Sequence, residues 1–411
     1  MDCARARKNF FFSRMRTSCN LLEVPYDCVC VITTFLDDQW DFLNLLQTNK
    51  MFAECFQRTD QLWGSANVIF YLRVATGLTP KIYVHNLVIL DSCNFKAMFP
   101  NLKHVKIPEA EFATKDVKTL CGDFKTLQTF AIHFHCLNVE IIEACLETNK
   151  FTCLDFSYCD IEDTALEMLT NFLKKNQQLR IFRSCVIGEE QKFAGLLALV
   201  INNTTLHELD ISHSELPLDS MRMIVEILKT NKTLRTLILA GCARETHVVV
   251  DLAQALKQSS LLSLDLDDWD LPDDSIATLF NALRTNNRLR EFSIDGDNNI
   301  FSLSPSCAVV AIMEQNTTLK VLHLTGANFA IGHICKGLNK TIETLDFYDN
   351  PITRAAMCVV VANLENNTTL KKICFRSCNI SNSSAIVLLH GAKQVRCVDL
   401  SRNQIDEKIL H

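Results

Sequence analysis

Residues 202–216 read NNTTLHELDISHSEL, and the spacing inside that stretch decides how the rest of the chain is read. Leu206, Leu209, Ile211 and Leu216 are separated by three, two and five residues, which fits neither a helix nor a plainly alternating strand. A short buried strand that ends in a turn does fit. The ninth residue, Ser214, then points inward and satisfies backbone groups that the turn would otherwise bury unpaired. Asn does this well, Cys or Ser more weakly. The ladder returns as Leu261, Leu264, Leu266 and Leu271, and again as Leu370, Ile373, Phe375 and Ile380. It recurs about every 28 residues between Leu102 and Leu410. Its ninth slot can be followed through Cys93, Ala110, His135, Cys159, Cys185, Ser214, Cys242, Trp269, Asp297, Ala327, Asn350, Cys378 and Asn403, which makes 13 candidate units.

Between the strands the period changes. Over residues 163–176, Ala165, Leu166, Leu169, Phe172 and Leu173 fall on one helical face, and residues 219–229, 273–284 and 355–365 repeat the arrangement. A strand, a loop and a helix returning at this interval resemble the ribonuclease-inhibitor type of leucine-rich repeat. The resemblance covers roughly the last three quarters of the chain and implies an α/β horseshoe with parallel strands on its concave side and helices on its convex side. Departures mark irregular places. The unit ending at Cys185 lacks its usual first Leu, and the intervals of 17 residues from Cys93 to Ala110 and 23 from Ala327 to Asn350 leave room only for shortened or absent helices. After Asn403 too few residues remain to return a helix over the last strand at 395–400, so an open edge that invites a partner or self-association is expected there.

Composition bounds the function. The 411 residues are 48% apolar and 21% charged, enough for a continuous core. A net charge of -6 argues against nucleic acid as the main partner. No apolar run approaches the roughly 18 residues that span a bilayer, so no membrane partner is expected. Residues 1–20 form a basic tail; Phe10, Phe11 and Phe12 are far too short for a signal-peptide core, and disorder is preferred over a mitochondrial presequence. Of 19 cysteines none forms a Cys-x-x-Cys pair. Five occupy the ninth slot, and others such as Cys145, Cys307 and Cys358 fall in helix-period segments as small hydrophobes. That usage suits a reducing cytoplasm, or the nucleus. The Asn-Thr-Thr triplets at Asn203, Asn316 and Asn367 then read as repeat punctuation and not as glycan acceptors.

The amino-terminal segment breaks the pattern. Residues 21–63 read LLEVPYDCVCVITTFLDDQWDFLNLLQTNKMFAECFQRTDQLW. Val24-Pro25 opens it; Val29, Ile32, Phe35 and Leu36 mark one short helix; Phe42, Leu43, Leu45 and Leu46 a second; Phe52 and Phe56 a third; Leu62-Trp63 closes it. The order of these landmarks resembles an F-box, although that family more often begins with Leu-Pro and carries Cys-Lys or Cys-Arg where this chain has Asn49-Lys50. The resemblance implies docking on a Skp-type adaptor, and through it a cullin-RING ubiquitin ligase, by an apolar face of Val24, Pro25, Ile32, Leu36, Phe42, Leu43 and Leu46. A segment of this size buries too little surface alone. The alternative cover is internal: these helices cap the first repeat, and the chain is a plain cytosolic leucine-rich repeat binding or scaffold protein. Residues 64–84 are expected as a helical junction and residues 85–411 as the array.

Catalytic patterns are missing from the sequence: no GxSxG, no P-loop, no HExxH, and only 11 glycines for any phosphate cradle. No cofactor and no enzymatic activity are expected. His133 and His135 alternate on a strand but lack a third metal ligand, and a GTPase-activating role lacks a recognisable motif around an arginine. A binding surface remains. Strand positions that point from the concave sheet carry Asp265, Asp267, Asp268, Glu291, Asp295, Glu343, Asp346 and Asp349 against Arg290 and Lys320, and the sign then reverses at Lys371, Lys372, Arg376, Arg396 and Arg402. Asp at the fifth position is habitual in this repeat type, so Asp265, Asp346 and Asp399 carry little weight. The expected partner is a protein substrate with a basic segment lying across this acidic stretch, Tyr348 adding an aromatic contact and Lys372 and Arg376 fixing its polarity.

Overall fold

The computed structural model describes residues 69–73, 81–86, 104–107, 127–133, 136–147, 151–184, 190–214, 216–242, 246–269, 271–295, 303–326, 328–338 and 340–409. The F-box-like segment with Val24, Pro25, Ile32, Leu36, Phe42, Leu43 and Leu46 lies outside the described residues, as do His135, Cys185 and all of the irregular unit from Cys93 to Ala110 except His104–Ile107.

The chain divides into two compact units, Met1–His135 with Glu143–Phe151, and Cys136–Ile142 with Thr152–His411. In the first, β1 (Ile69–Arg73) pairs antiparallel with β2 (Lys81–Asn86). This corrects the expected helical junction over 64–84. Ile, Phe, Tyr and Val are concentrated in these two stretches, and such side chains fit a pleated surface better than a helix. The strands β3 (His104–Ile107) and β4 (Thr129–Ile132) pair in parallel, His104 opposite Thr129.

The second unit is a parallel repeat solenoid. Its strands in chain order are β5 (Cys136–Leu137), β6 (Cys153–Asp155), β7 (Asp160–Ile161), β8 (Ile181–Arg183), β9 (Glu208–Asp210), β10 (Thr236–Ile238), β11 (Ser263–Leu266), β12 (Glu291–Asp295), β13 (Val321–Thr325), β14 (Thr344–Asp346), β15 (Lys372–Cys374) and β16 (Cys397–Asp399). β5 and β7 form a small parallel pair, and from β6, β8 and β9 onward each strand lies in register beside the next. Helices return the chain between strands, at Asp163–Lys175, Leu218–Thr230, Asp273–Thr285 and Arg354–Leu364, each within a residue or two of the periodic segments read from the sequence. Between β13 and β14 the short interval holds only Ile331–Ile334 and one 3-10 turn at Cys335–Gly337, as its 23 residues require.

The fourth strand position supplies a continuous apolar row, with Leu209, Leu237, Leu264, Phe292, Leu322, Leu345 and Ile373 all buried. Phe347 and Phe375 at the sixth position stack with ring centroids 5.8 Å apart. Cys145 is buried, whereas Cys307 and Cys358 are exposed, a correction to their reading as buried helix thiols. Helical period alone does not say which face a cysteine takes.

Candidate functional site

Two ladders of polar side chains fix the strand face before any partner arrives. The ninth-slot residue donates to the carbonyl at the sixth position of the preceding unit: Cys242 Sγ to Ile211 O at 3.0 Å, Trp269 Nε1 to Leu239 O at 2.7 Å, Asn350 Nδ2 to Leu324 O at 2.7 Å, Cys378 Sγ to Phe347 O at 3.0 Å and Asn403 Nδ2 to Phe375 O at 2.7 Å. At the fifth position Asp155, Asp210, Asp265, Asp346 and Asp399 each accept a backbone N–H two residues on, at 2.9 to 3.1 Å. These aspartates close the turn after the strand, an Asx arrangement, so their presence is structural first.

Register then brings together side chains that are far apart in the chain. Ile238, Asp265, Ser293, His323 and Asp346 lie in one row across five strands, with Thr236, Ser263 and Glu291 in the row beside it. All of these but Asp346 line a cavity of about 400 Å³ on the strand face, bounded by Asp265, Asp267, Glu291, Ser293 and His323. Ser293 Oγ donates to Asp267 Oδ1 at 2.7 Å. His323 sits 3.5 Å from Asp346 and 4.0 Å from Glu291. Burial, and then the neighbouring Asp265 and Asp295 carboxylates, push the Asp267 carboxyl up to about 7 against the hydrogen bond from Ser293. Burial likewise raises Asp265. Pairing with Asp346 raises the His323 imidazole despite its burial. Asp346 is itself held below the usual carboxylate range, because contacts with His323 and Cys374 and the Tyr348 N–H outweigh burial.

Of the residues picked from sequence, Asp265, Asp267 and Glu291 meet around this cavity, and Asp346 joins through His323. Asp295 stands close enough to act on Asp267. Asp268 and Asp349 occupy the turn after the strand in left-handed conformation, φ 56° each, and are exposed. The Arg376 guanidinium lies over the Tyr348 ring, 5.7 Å from its centroid, and Lys372 is exposed on β15. Glu343 does not add to the acidic field: Lys320 at 2.6 Å and Lys371 at 2.5 Å hold its carboxyl down to about 2. Sequence reading passed over His323, which the fifth-position register would have found. It also passed over Arg183, whose guanidinium bridges Asp155 at 3.3 Å and Glu208 at 2.6 Å.

A model of the leucine-rich repeat matches residues 149–169. A chain from the Rad7 and Elc1 complex of yeast has the same fold, with a TM-score of 0.55 at 14% identity, over 94% of this chain and 96% of that one. The chain is built of leucine-rich repeats. The Rho GTPase-activating protein gacW of Dictyostelium discoideum is 24% identical over 340 residues, 75% of this chain, and the NACHT, LRR and PYD domains-containing protein 14 of Mus musculus 26% identical over 218 residues, 50% of this chain. The matched segments make up 29% and 21% of those proteins, so the chain spans less than a third of their length. A leucine-rich repeat array works as a protein-binding surface. Among the described residues no group of three or more His, Cys, Asp and Glu could hold a metal ion, and no helix is long and apolar enough to cross a membrane.

Proposed function

We propose that this leucine-rich repeat chain is a non-catalytic substrate receptor of a cullin-RING ubiquitin ligase, acting in the cytoplasm or nucleus. Residues 21–63 dock on a Skp-type adaptor, and the strand face holds the protein to be ubiquitinated through a basic segment of that protein. The observation that carries the binding half is the cavity bounded by Asp265, Asp267, Glu291 and His323, an acid-rich recess on an otherwise regular face. A recess of this charge concentrates a field on an incoming cation. The adaptor half is supported by the ordered landmarks from Val24-Pro25 to Leu62-Trp63, and by the likeness in fold to a chain from a complex of Rad7 with Elc1.

Co-expression with a Skp-type adaptor tests the adaptor half. The wild-type chain is expected to co-purify with it, and Pro25→Ala combined with Leu43→Ala to abolish co-purification while the repeats stay folded by circular dichroism. Normal adaptor capture by the folded double variant sinks the F-box reading. Loss of the whole fold in that variant favours the segment as an internal cap.

A further inference from the structure

The residue before the ninth slot adopts a left-handed backbone in eight units of the array, at Tyr158 (φ 60°), His213 (56°), Gly241 (66°), Asp268 (56°), Gly326 (65°), Asp349 (56°), Ser377 (57°) and Arg402 (57°). Glycine takes this conformation most readily, and Asp and His tolerate it better than bulky residues do. Tyr158 is the side chain least suited to the position, yet 48% of it is exposed, so no burial of the ring accounts for it. Its ring stacks with that of His213, centroids 6.5 Å apart at 26°. Gly241 in the neighbouring unit keeps the imidazole where it is: a Cβ there would stand 2.5 Å from His213 Nδ1. The two rings thus form a flat, accessible shelf at the loop end of the strands.

The charge around the shelf favours a cation. On β6, β8 and β9 stand Glu208 and Asp210, with Asp155 buried beside them, and Arg183 bridges Asp155 and Glu208, so among these strand residues the carboxylates exceed the guanidinium by two. Asp265 continues the row of carboxylates on β11. The chain also shows what an aromatic on this face accepts, since its own Arg376 guanidinium lies over Tyr348. A planar guanidinium stacks on a ring while its N–H groups turn to carboxylates at the edge; an ammonium does this less well.

We propose that the Tyr158–His213 shelf is the docking point for an arginine side chain of the partner's basic segment. This rests on the strand face being a surface for such a segment. The test uses the full chain and two probe peptides of equal length and charge, one alternating arginine and glycine, the other lysine and glycine. At low salt both peptides bind, and the arginine peptide is held about three-fold more tightly. Tyr158→Ala removes that preference and leaves the lysine peptide unchanged; Tyr158→Phe keeps it. Equal binding of the two peptides by the wild-type chain, or an equal loss of both in Tyr158→Ala, overturns the shelf while the acidic face stands. Binding of neither peptide overturns both.

Discussion

Asp267 and His323 show how a repeated surface acquires individual chemistry. A carboxyl raised by burial keeps its proton to a higher pH in the folded chain than in the unfolded one, where its value lies near 4. Folding therefore binds a proton between about 4 and 7, and stability falls as the pH rises through that window. His323, also raised, stabilises the fold while charged and loses that contribution as the pH climbs through its folded value. Asp346 runs the other way, losing its contribution only as the pH falls below the ordinary carboxylate range. The groups facing Asp267 are Asp265, Asp295, Ser293 and His323. Asp267→Asn is accordingly expected to be more stable than the wild type at pH 8, with the difference shrinking toward pH 5, as read from thermal melts. A constant difference across that range would refute the raised carboxyl. The Asp residues were plain in the sequence, but their titration depends on neighbours supplied by other strands. Glu343 makes the same point in reverse: it counted as an acid until Lys320 and Lys371 came beside it.

At the scale of the strand and its turn, the ninth slot is read from spacing, and the chemistry that fills it is less uniform than spacing suggests. Trp269 looks like an exception in a slot for Asn or Cys, but its indole N–H reaches the same carbonyl, and the side chain is only 1% exposed. Ser214 has the conventional polarity and fails, since its Oγ is buried with no hydrogen-bond partner. One hydroxyl on a short stem does not reach where a thiol, an amide or an indole does. Trp269→Phe should therefore cost about 0.5 to 1.5 kcal/mol by removing the shorter of two hydrogen bonds to the buried Leu239 carbonyl, which keeps the Cys242 N–H at 3.1 Å. Ser214→Cys should gain about 0.5 to 1 kcal/mol if the thiol reaches as Cys242 and Cys378 do. Urea unfolding of both variants against the wild type checks the pair, and a stabilised Trp269→Phe would contradict the ladder. The Asn of the Asn-Thr-Thr-Leu stretch was likewise visible as punctuation, and its task now has a form. Asn316 takes the N–H groups of Thr318 and Leu319 on its carbonyl and donates to Leu283 and Asn286 from its amide. Helix positions followed from apolar period to within two residues, whereas the strands over 69–86 did not, because no repeat register extends there to outvote local appearance.

For the molecule as a whole, the sum of charges on the strand face governs how quickly a partner arrives more than how long it stays. Asp267→Lys, Asp268→Lys and Asp295→Lys together should slow association with a basic partner strongly at low salt and much less at high salt, where the screening length falls to about 3 Å near 1 M. Stopped-flow rates at two ionic strengths decide it, and an unchanged rate moves the binding surface off this face.

Arrays of this kind change length by gaining or losing whole units, provided every unit fits any neighbour. The unit between β13 and β14 does not. Its four-residue helix brings the backbone so close that a Cβ at Gly332 would stand 3.2 Å from Ala356 Cα, and one at Gly337 3.0 Å from Val310 Cγ1. Each glycine is matched to one particular flanking helix. A duplicate of this unit placed beside itself would meet a different surface on one side, so growth or shrinkage of the array is expected on either side of it and not at it.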